Sequence, residues 1–438
     1  MNKHLHTIES RVAYNLRIAG VTMAIGLAAG LVAVAFRSTA DFLTQHLISS
    51  REGLGWFEFA LWVFPTMVFG SLIAGIIMTR FAPDAAGSGI PQVKLGYFRG
   101  KNNFSLNLIW VKFVSGVLAI GTGSSLGREG PTIHIGAALA SWFARITKEP
   151  EDARANAVCA GSAAGLAAAF HSPIAGVTLV LEEITEGKDE DKFSGRALFA
   201  AALAVTVIYL MLGNTAALPV NFAMMPSVRC LWLAIPVSLV CGLLGVFFQS
   251  STLWIRGLAK KSSLPTAARP AVGAALAAIV GIIAYALTQN TGVFGLGEKQ
   301  LFDGLENNIL WQAALVLAIA KLLATALCYG SGASGGIFAP ILFFGALCGS
   351  GVAGMLQPIM DLTDTERTLL AVTGISAALS AVVRAPITSI VIVLEMTRLI
   401  YAAPLLMIAA VVGSFLNRIA FPVSFYGAAL RQDGTPVE

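Results

Sequence analysis

Three features of the 438-residue sequence predict an all-α, polytopic membrane protein made of two related halves. Hydrophobic residues make up 56% of the chain and charged residues only 12%, with a mean hydropathy of +0.76, far outside the usual composition of soluble domains. Apolar runs long enough to cross or enter a bilayer begin near Ala19, Phe57, Leu106, Ala155, Leu198, Leu231, Ala271, Leu310, Ile337, Leu369 and Ala402, separated by short polar stretches. Two segments of the first half recur in the second, in the same order and at nearly the same shift.

The first element, residues 1–18, carries Lys3, Arg11 and Arg17 and lacks a small-residue cleavage site behind a short apolar core, so it reads as a cytoplasmic tail. Lys188, Lys192 and Arg196 in one polar loop, and Arg256, Lys260 and Lys261 in another, extend the positive-inside pattern and put both termini in the cytoplasm. The net charge of +5 therefore reports topology. Scattered cations without a contiguous basic, aromatic-rich patch exclude a nucleic-acid role. Five cysteines in or beside apolar runs and five dispersed histidines offer no ligand spacing, so neither a metal nor a cofactor is expected.

The repeat sets residues 19–215 as the first transmembrane unit and 216–430 as the second, with 431–438 a short tail. GSAAGLAAAFHSPIAGVTLVLE (Gly161 to Glu182) aligns with GISAALSAVVRAPITSIVIVLE (Gly374 to Glu395), matching Pro and Glu as well as small residues. GTGSSLGREGPTIHIGA (Gly121 to Ala137) aligns with GSGASGGIFAPILFFGA (Gly330 to Ala346). Weak internal symmetry of this kind is the signature of transporter folds, whose sites lie where broken helices of the two repeats meet. Whether the repeats are parallel or inverted is not set by these matches.

Three stretches share a glycine-rich turn followed by proline: AGSGIPQVK (Ala86 to Lys94), GREGPTIHIG (Gly127 to Gly136) and GGIFAPILFFG (Gly335 to Gly345). Pro91, Pro131 and Pro340 suit the first turn of a helix, where a missing N–H costs nothing. Gly87, Gly89, Gly127, Gly130 and Gly336 let backbone approach a ligand closely. Several helix starts converging at Ile90, Arg128 and Ala339 would offer unpaired N–H groups and partial positive charge to an anion. Backbone dipoles and a hydroxyl or two, from Ser88 and Tyr426, suit a permeant anion that must be released again. Close packing of small residues is the plain alternative for any one such motif.

At this point the chain resembles the CLC family of chloride channels and chloride/proton antiporters, on GSGIP (Gly87 to Pro91), GREGP (Gly127 to Pro131), GGIFAP (Gly335 to Pro340), LEE (Leu181 to Glu183), APITSIVIVLEMT (Ala385 to Thr397) and the late Tyr426. The resemblance implies an inverted repeat of tilted and re-entrant helices, one anion pathway per subunit, and a homodimer in the bilayer, which is the inner (plasma) membrane if the source is bacterial. By residue, it implies that Ser88, Tyr426 and the backbone N–H groups of Ile337 and Phe338 hold chloride. It implies that Glu129 is the gating glutamate and that Glu183 passes protons internally. His171 and Ser172 depart from the Asn-Ala common at that point. The chain ends shortly after Tyr426, so appended regulatory domains are not expected.

A carboxylate at membrane depth must be paired, protonated or part of an ion path. Glu129, two residues before Pro131, fits a tethered anion: ionised, it competes with chloride at a helix start; protonated, it swings away. A salt bridge with Arg128 is the structural alternative, and Arg128 itself reads as a tie to Glu395 or another acid. Glu182 corresponds in the repeat to Glu395 and Glu183 to Met396, which favours a shared structural role for Glu182 and a proton-relay role for Glu183 over two solvated helix ends. His134 and His171 read as hydrogen-bonded packing residues. Glu183 argues for an exchanger over a passive chloride channel, and Ser88 for chloride over fluoride. A serine-protease reading of GASG (Gly332 to Gly335) fails because no histidine follows Ser334.

Overall fold

Apolar runs fold as helices because backbone groups in hydrocarbon must be satisfied within the segment. The computed structural model describes residues 2–220 and 227–437, with backbone alone at 2–12 and at 152, so Lys3, His4, His6 and Arg11 lie outside the described side chains. In chain order the helices are α1 (Asn2–Leu47), α2 (Trp56–Phe81), α3 (Ile90–Arg99), α4 (Leu106–Gly121), α5 (Glu129–Ile146), α6 (Glu151–Phe170), α7 (Pro173–Leu179) and α8 (Glu190–Leu212). They continue with α9 (Val228–Lys261), α10 (Arg269–Thr288), α11 (Glu298–Leu305), α12 (Trp311–Gly330), α13 (Phe338–Met360), α14 (Asp364–Val383), α15 (Pro386–Thr397), α16 (Ala403–Ala420) and α17 (Phe425–Gln432). Among the described residues, nine helices or joined helical stretches are long and apolar enough to cross a membrane.

Several helices outrun the apolar segments that announce them. Lys192 and Arg196 stand in α8, and Arg256, Lys260 and Lys261 in the last turns of α9, where a loop is expected from hydropathy. The reason is local: Lys, Arg and Glu are good helix formers, so a helix does not stop where hydrophobicity does.

Order and packing repeat. The pairs α5 with α6, α6 with α8 and α1 with α8 pack in the first series as α13 with α14, α14 with α16 and α9 with α16 do in the second. Direct reciprocity appears between α7 and α15. The Glu182 carboxylate accepts from the backbone N–H of Ile387 (3.0 Å) and Thr388 (2.6 Å), while Glu395 accepts from Ile174 (3.0 Å) and Ala175 (2.8 Å). Each helix is thus capped at its start by an acid from the far end of the other, which requires α7 and α15 to lie antiparallel. Because they are counterparts in the repeat, the relation between the halves reverses chain direction, and the repeat is inverted.

Small residues set the depth of packing at the centre. At the crossing of α5 and α6, a Cβ on Gly136 would overlap the Gly161 carbonyl, and the equivalent crossing of α13 and α14 brings Gly345 and Gly374 together. The outward faces of α1, α2, α9 and α10 carry exposed Phe, Leu, Ile and Trp, as lipid-facing surfaces do.

Candidate functional site

Proline placement follows expectation at all three glycine-rich turns. Gly89 precedes α3 with φ +92, a conformation suited to glycine, and Pro91 sits in its first turn. Arg128 and Ile337 precede α5 and α13, with Pro131 and Pro340 in the first turns. The turns are laced together by backbone pairs: Gly127 and Gly336 exchange N–H···O bonds of 2.8 and 2.7 Å, and the Gly335 N–H donates to the Gly87 carbonyl at 3.1 Å. Gly127 and Gly336 are repeat counterparts, so this pair straddles the internal symmetry relation.

Glu129 is fully buried between them. Its Oε1 accepts from the Phe338 N–H at 2.7 Å, the Ala339 N–H also bears on the carboxylate, and Oε2 has no hydrogen-bond partner. A Cβ on Gly127 or Gly336 would overlap this carboxylate, and one on Gly130 would press on Ser88 and Gly336, so glycine is what makes the slot. Sequence reasoning looks to the start of Glu129's own helix for stabilisation; the carboxylate instead occupies the start of the opposite repeat's α13.

On one side of this slot, Ser88 is buried with its Oγ 3.2 Å from the Tyr329 hydroxyl and accepting from the Ile90 N–H at 3.3 Å. Tyr426, at the start of α17, is fully buried; its hydroxyl lies beside Ser88 without a formed hydrogen bond. A cavity of about 480 Å³ reaches Gly87, Ser88, Pro91 and Tyr329 from a rim carrying Arg256, Lys260 and Arg269. On the other side, a small cavity of about 30 Å³ is lined by Arg128, Glu298, Phe170 and Ala339. Ala339, whose N–H bears on the Glu129 carboxylate, thus lines the small cavity with Arg128, while Ser88 lines the larger one.

Arg128 pairs with Glu298 at 3.0 Å, not with Glu395, whose oxygens are committed to the start of α7. Burial works to raise the carboxyl pKa of Glu298, in the short α11, but the neighbouring Arg128 and Arg37 outweigh it and hold it below the usual range. Glu183 is buried beside α3 and α17. Its Oε1 takes bonds from the Lys94 Nζ and the Ser424 Oγ, each at 2.9 Å. Neither Glu182 nor Glu183 is a solvated helix end. His134 packs edge-on against Phe104 with no hydrogen bond to either ring nitrogen, so its expected hydrogen-bonded role is replaced by an apolar one. His171 takes a left-handed conformation (φ 56) after α6, with its Nε2 3.0 Å from Arg37. Ser334 pairs through its backbone with Gly87, and His46, His134 and His171 are engaged elsewhere.

Sequence reasoning misses Tyr329, Lys94, Ser424 and a symmetric pair of buried lysines. Lys112 donates to the Ala85 and Gly87 carbonyls behind α3, and Lys321 to those of Gly292, Val293 and Gly295 behind α11. Both are single cations in the middle of apolar helices at the repeat spacing, a signal available to inspection.

Fold and site together define a multi-pass membrane protein built as an inverted repeat around helix starts that converge on a buried carboxylate. Residues 70–418 match the family model described as voltage gated chloride channel, and the chain belongs to that family. Among its relatives is the H(+)/Cl(-) exchange transporter ClcA of Vibrio parahaemolyticus serotype O3:K6 (strain RIMD 2210633), 31% identical over 389 residues, covering 86% of this chain and 81% of the relative. ClcA of Cronobacter sakazakii (strain ATCC BAA-894) is 31% identical over 379 residues, covering 85% and 80%. Among solved structures, a slow cyanobacterial Cl-/H+ antiporter superposes with a TM-score of 0.82 at 25% identity over 95% of this chain and 98% of that one. A CLC-type fluoride/proton antiporter superposes at 0.76 and 21% identity, over 94% and 97%, which bears on fold alone.

Proposed function

We propose that this protein is a secondary active transporter that exchanges chloride for protons. The observation that carries the reading is the Glu129 carboxylate resting on the Phe338 N–H at the start of α13. A carboxylate and a chloride ion make the same demand on a helix start, a single negative charge facing unpaired N–H groups. The two therefore compete. Ionised Glu129 fills the site; once protonated it loses its attraction and leaves, and chloride takes the N–H groups of Ile337 and Phe338 with the hydroxyls of Ser88 and Tyr426. Chloride occupancy and proton occupancy are linked through one side chain, which is what exchange needs.

Glu183 supplies the second proton station, a buried acid on the side of Tyr426. Its burial and its hydrogen bonds favour the exchanger over a passive channel. The ClcA relatives, named as H(+)/Cl(-) exchange transporters, support the same pairing of ions. Cations at the ends of α8 and α9 favour a cytoplasmic face for the large cavity and for both termini, and the family resemblance favours a homodimer in a plasma or inner membrane.

In liposomes under a chloride gradient, the purified protein is expected to drive protons against their own gradient. Glu129→Ala and Glu183→Ala are each expected to retain chloride flux and lose proton movement. Chloride flux with no uphill proton movement in the unmodified protein would contradict the reading and leave a channel.

A further inference from the structure

We propose that Glu186 is the solvent-side proton acceptor of this transporter, and that Lys94 carries the proton from it to Glu183. The inference rests on the reading of Glu183 as a proton-transfer residue.

Three independent observations converge on the turn after α7. Residues Val180–Ile184 form a π-turn, with the Thr185 N–H reaching back to the Val180 carbonyl at 2.9 Å. Such a turn inserts a residue into the helical register, and π-turns collect at functional sites. The equivalent stretch of α15 stays α-helical through Thr397, so the distortion belongs to the first repeat, the one that carries Glu183. Next, Glu186 has φ +52, a left-handed conformation that a glycine holds at less cost. The same conformation ends helices elsewhere in the chain, as at His171 and Arg384, and here it accompanies the placing of the Glu186 carboxylate on Lys94.

The third observation is Lys94, whose side chain is 2% exposed and bridges two acids of opposite exposure. Its Nζ is 2.9 Å from the Glu183 Oε1, on a side chain 3% exposed, and 2.8 Å from the Glu186 Oε1, on a side chain 35% exposed. One lysine thus stands between an acid that meets solvent and an acid that does not. A buried cation needs one counter-charge, which Glu183 already provides. The second carboxylate, on a side chain that meets solvent, is the feature that packing alone leaves unexplained.

The step balances without another reactant. Glu186 takes a proton from hydronium on the aqueous side, leaving water. An N–H of the Lys94 ammonium breaks as an O–H forms on the Glu183 Oε1, while the O–H of Glu186 breaks and a new N–H forms on Lys94. Lys94 begins and ends as an ammonium, Glu186 returns to the carboxylate, and Glu183 has gained the proton. Ser424, donating to the same Glu183 oxygen at 2.9 Å, caps α17 through the Gly427 N–H, so the acceptor sits one hydrogen bond from the helix that carries Tyr426.

The test reads proton and chloride fluxes together in liposomes containing the full chain, with Glu186→Gly as the chief variant. Glycine removes the carboxylate and relieves the left-handed backbone, so this variant is expected to fold at least as stably as the original. Proton flux is expected to fall at least tenfold while chloride flux stays within twofold, with Glu186→Asp restoring part of the proton flux. A merely structural Glu186 would move stability and leave the proton-to-chloride ratio intact. An unchanged ratio in Glu186→Gly, beside loss of coupling in Glu183→Ala, overturns the role of Glu186 alone. An unchanged ratio in Glu183→Ala overturns the underlying reading, and this proposal with it.

Discussion

Glu129 shows how a charge becomes tolerable at membrane depth: its cost is offset by N–H groups aimed at it from another helix and by two glycines that leave room for it. Gly336→Ala puts a methyl group into that slot, and overpacking of this kind typically costs about 1–3 kcal/mol. Thermal unfolding of Gly336→Ala in detergent is therefore expected at a lower temperature than for the unmodified protein. The Arg128–Glu298 pair gives a second prediction. Since the Glu298 pKa lies below its unfolded value, near 4.3 for glutamate, its stabilisation is present above that value and is lost as pH falls through the depressed one. Glu298→Gln is expected to melt lower than the unmodified protein at neutral pH, with the difference closing in acid. Glu129, Ser88 and Tyr426 stand out in the sequence as candidates because each is a polar residue in an apolar or glycine-rich setting. The partner of Arg128 could not, because Glu298 lies far along the chain in a short helix with no distinguishing pattern.

At the scale of elements, the short helices α7 and α15, each starting with a proline, are held at their starts by carboxylates, where the remaining N–H groups of the first turn would otherwise lack partners. Hydrogen bonds to a charged group contribute about 1.5–3 kcal/mol each. Glu182→Gln and Glu395→Gln are expected to lower the melting temperature by similar amounts, since their geometry is reciprocal; thermal unfolding in detergent checks this. A loss confined to one of them would mean that the two caps are not equivalent. The Pro and Glu matches of the repeat made this pairing partly legible, as a shared role for Glu182 and Glu395. Helix ends were less legible, because α8 and α9 run on through polar residues that favour helix. The π-turn at Val180–Ile184, which packs against α3 and α6, left no signal in the sequence pattern.

For the whole molecule, inversion of the repeat accounts for the position of the site. Relating the halves by a direction-reversing symmetry brings the starts of α5 and α13 face to face in the interior, so two helix starts from opposite sides meet at Gly127 and Gly336. Lys112 and Lys321 brace the turns before α3 and α11 in the same symmetric way. The symmetry is broken where function differs: one repeat carries Glu129 at its turn, the other offers the N–H groups that receive it. In the proposed function, chloride and the Glu129 carboxylate compete for one place. Calorimetric titration of chloride across pH tests it most directly, with the unmodified protein beside Glu129→Gln. Competition predicts that chloride binds the unmodified protein more tightly as pH falls and carboxylate gives way to acid, and that Glu129→Gln binds tightly at every pH. Equal, pH-independent affinities in the two proteins would contradict it.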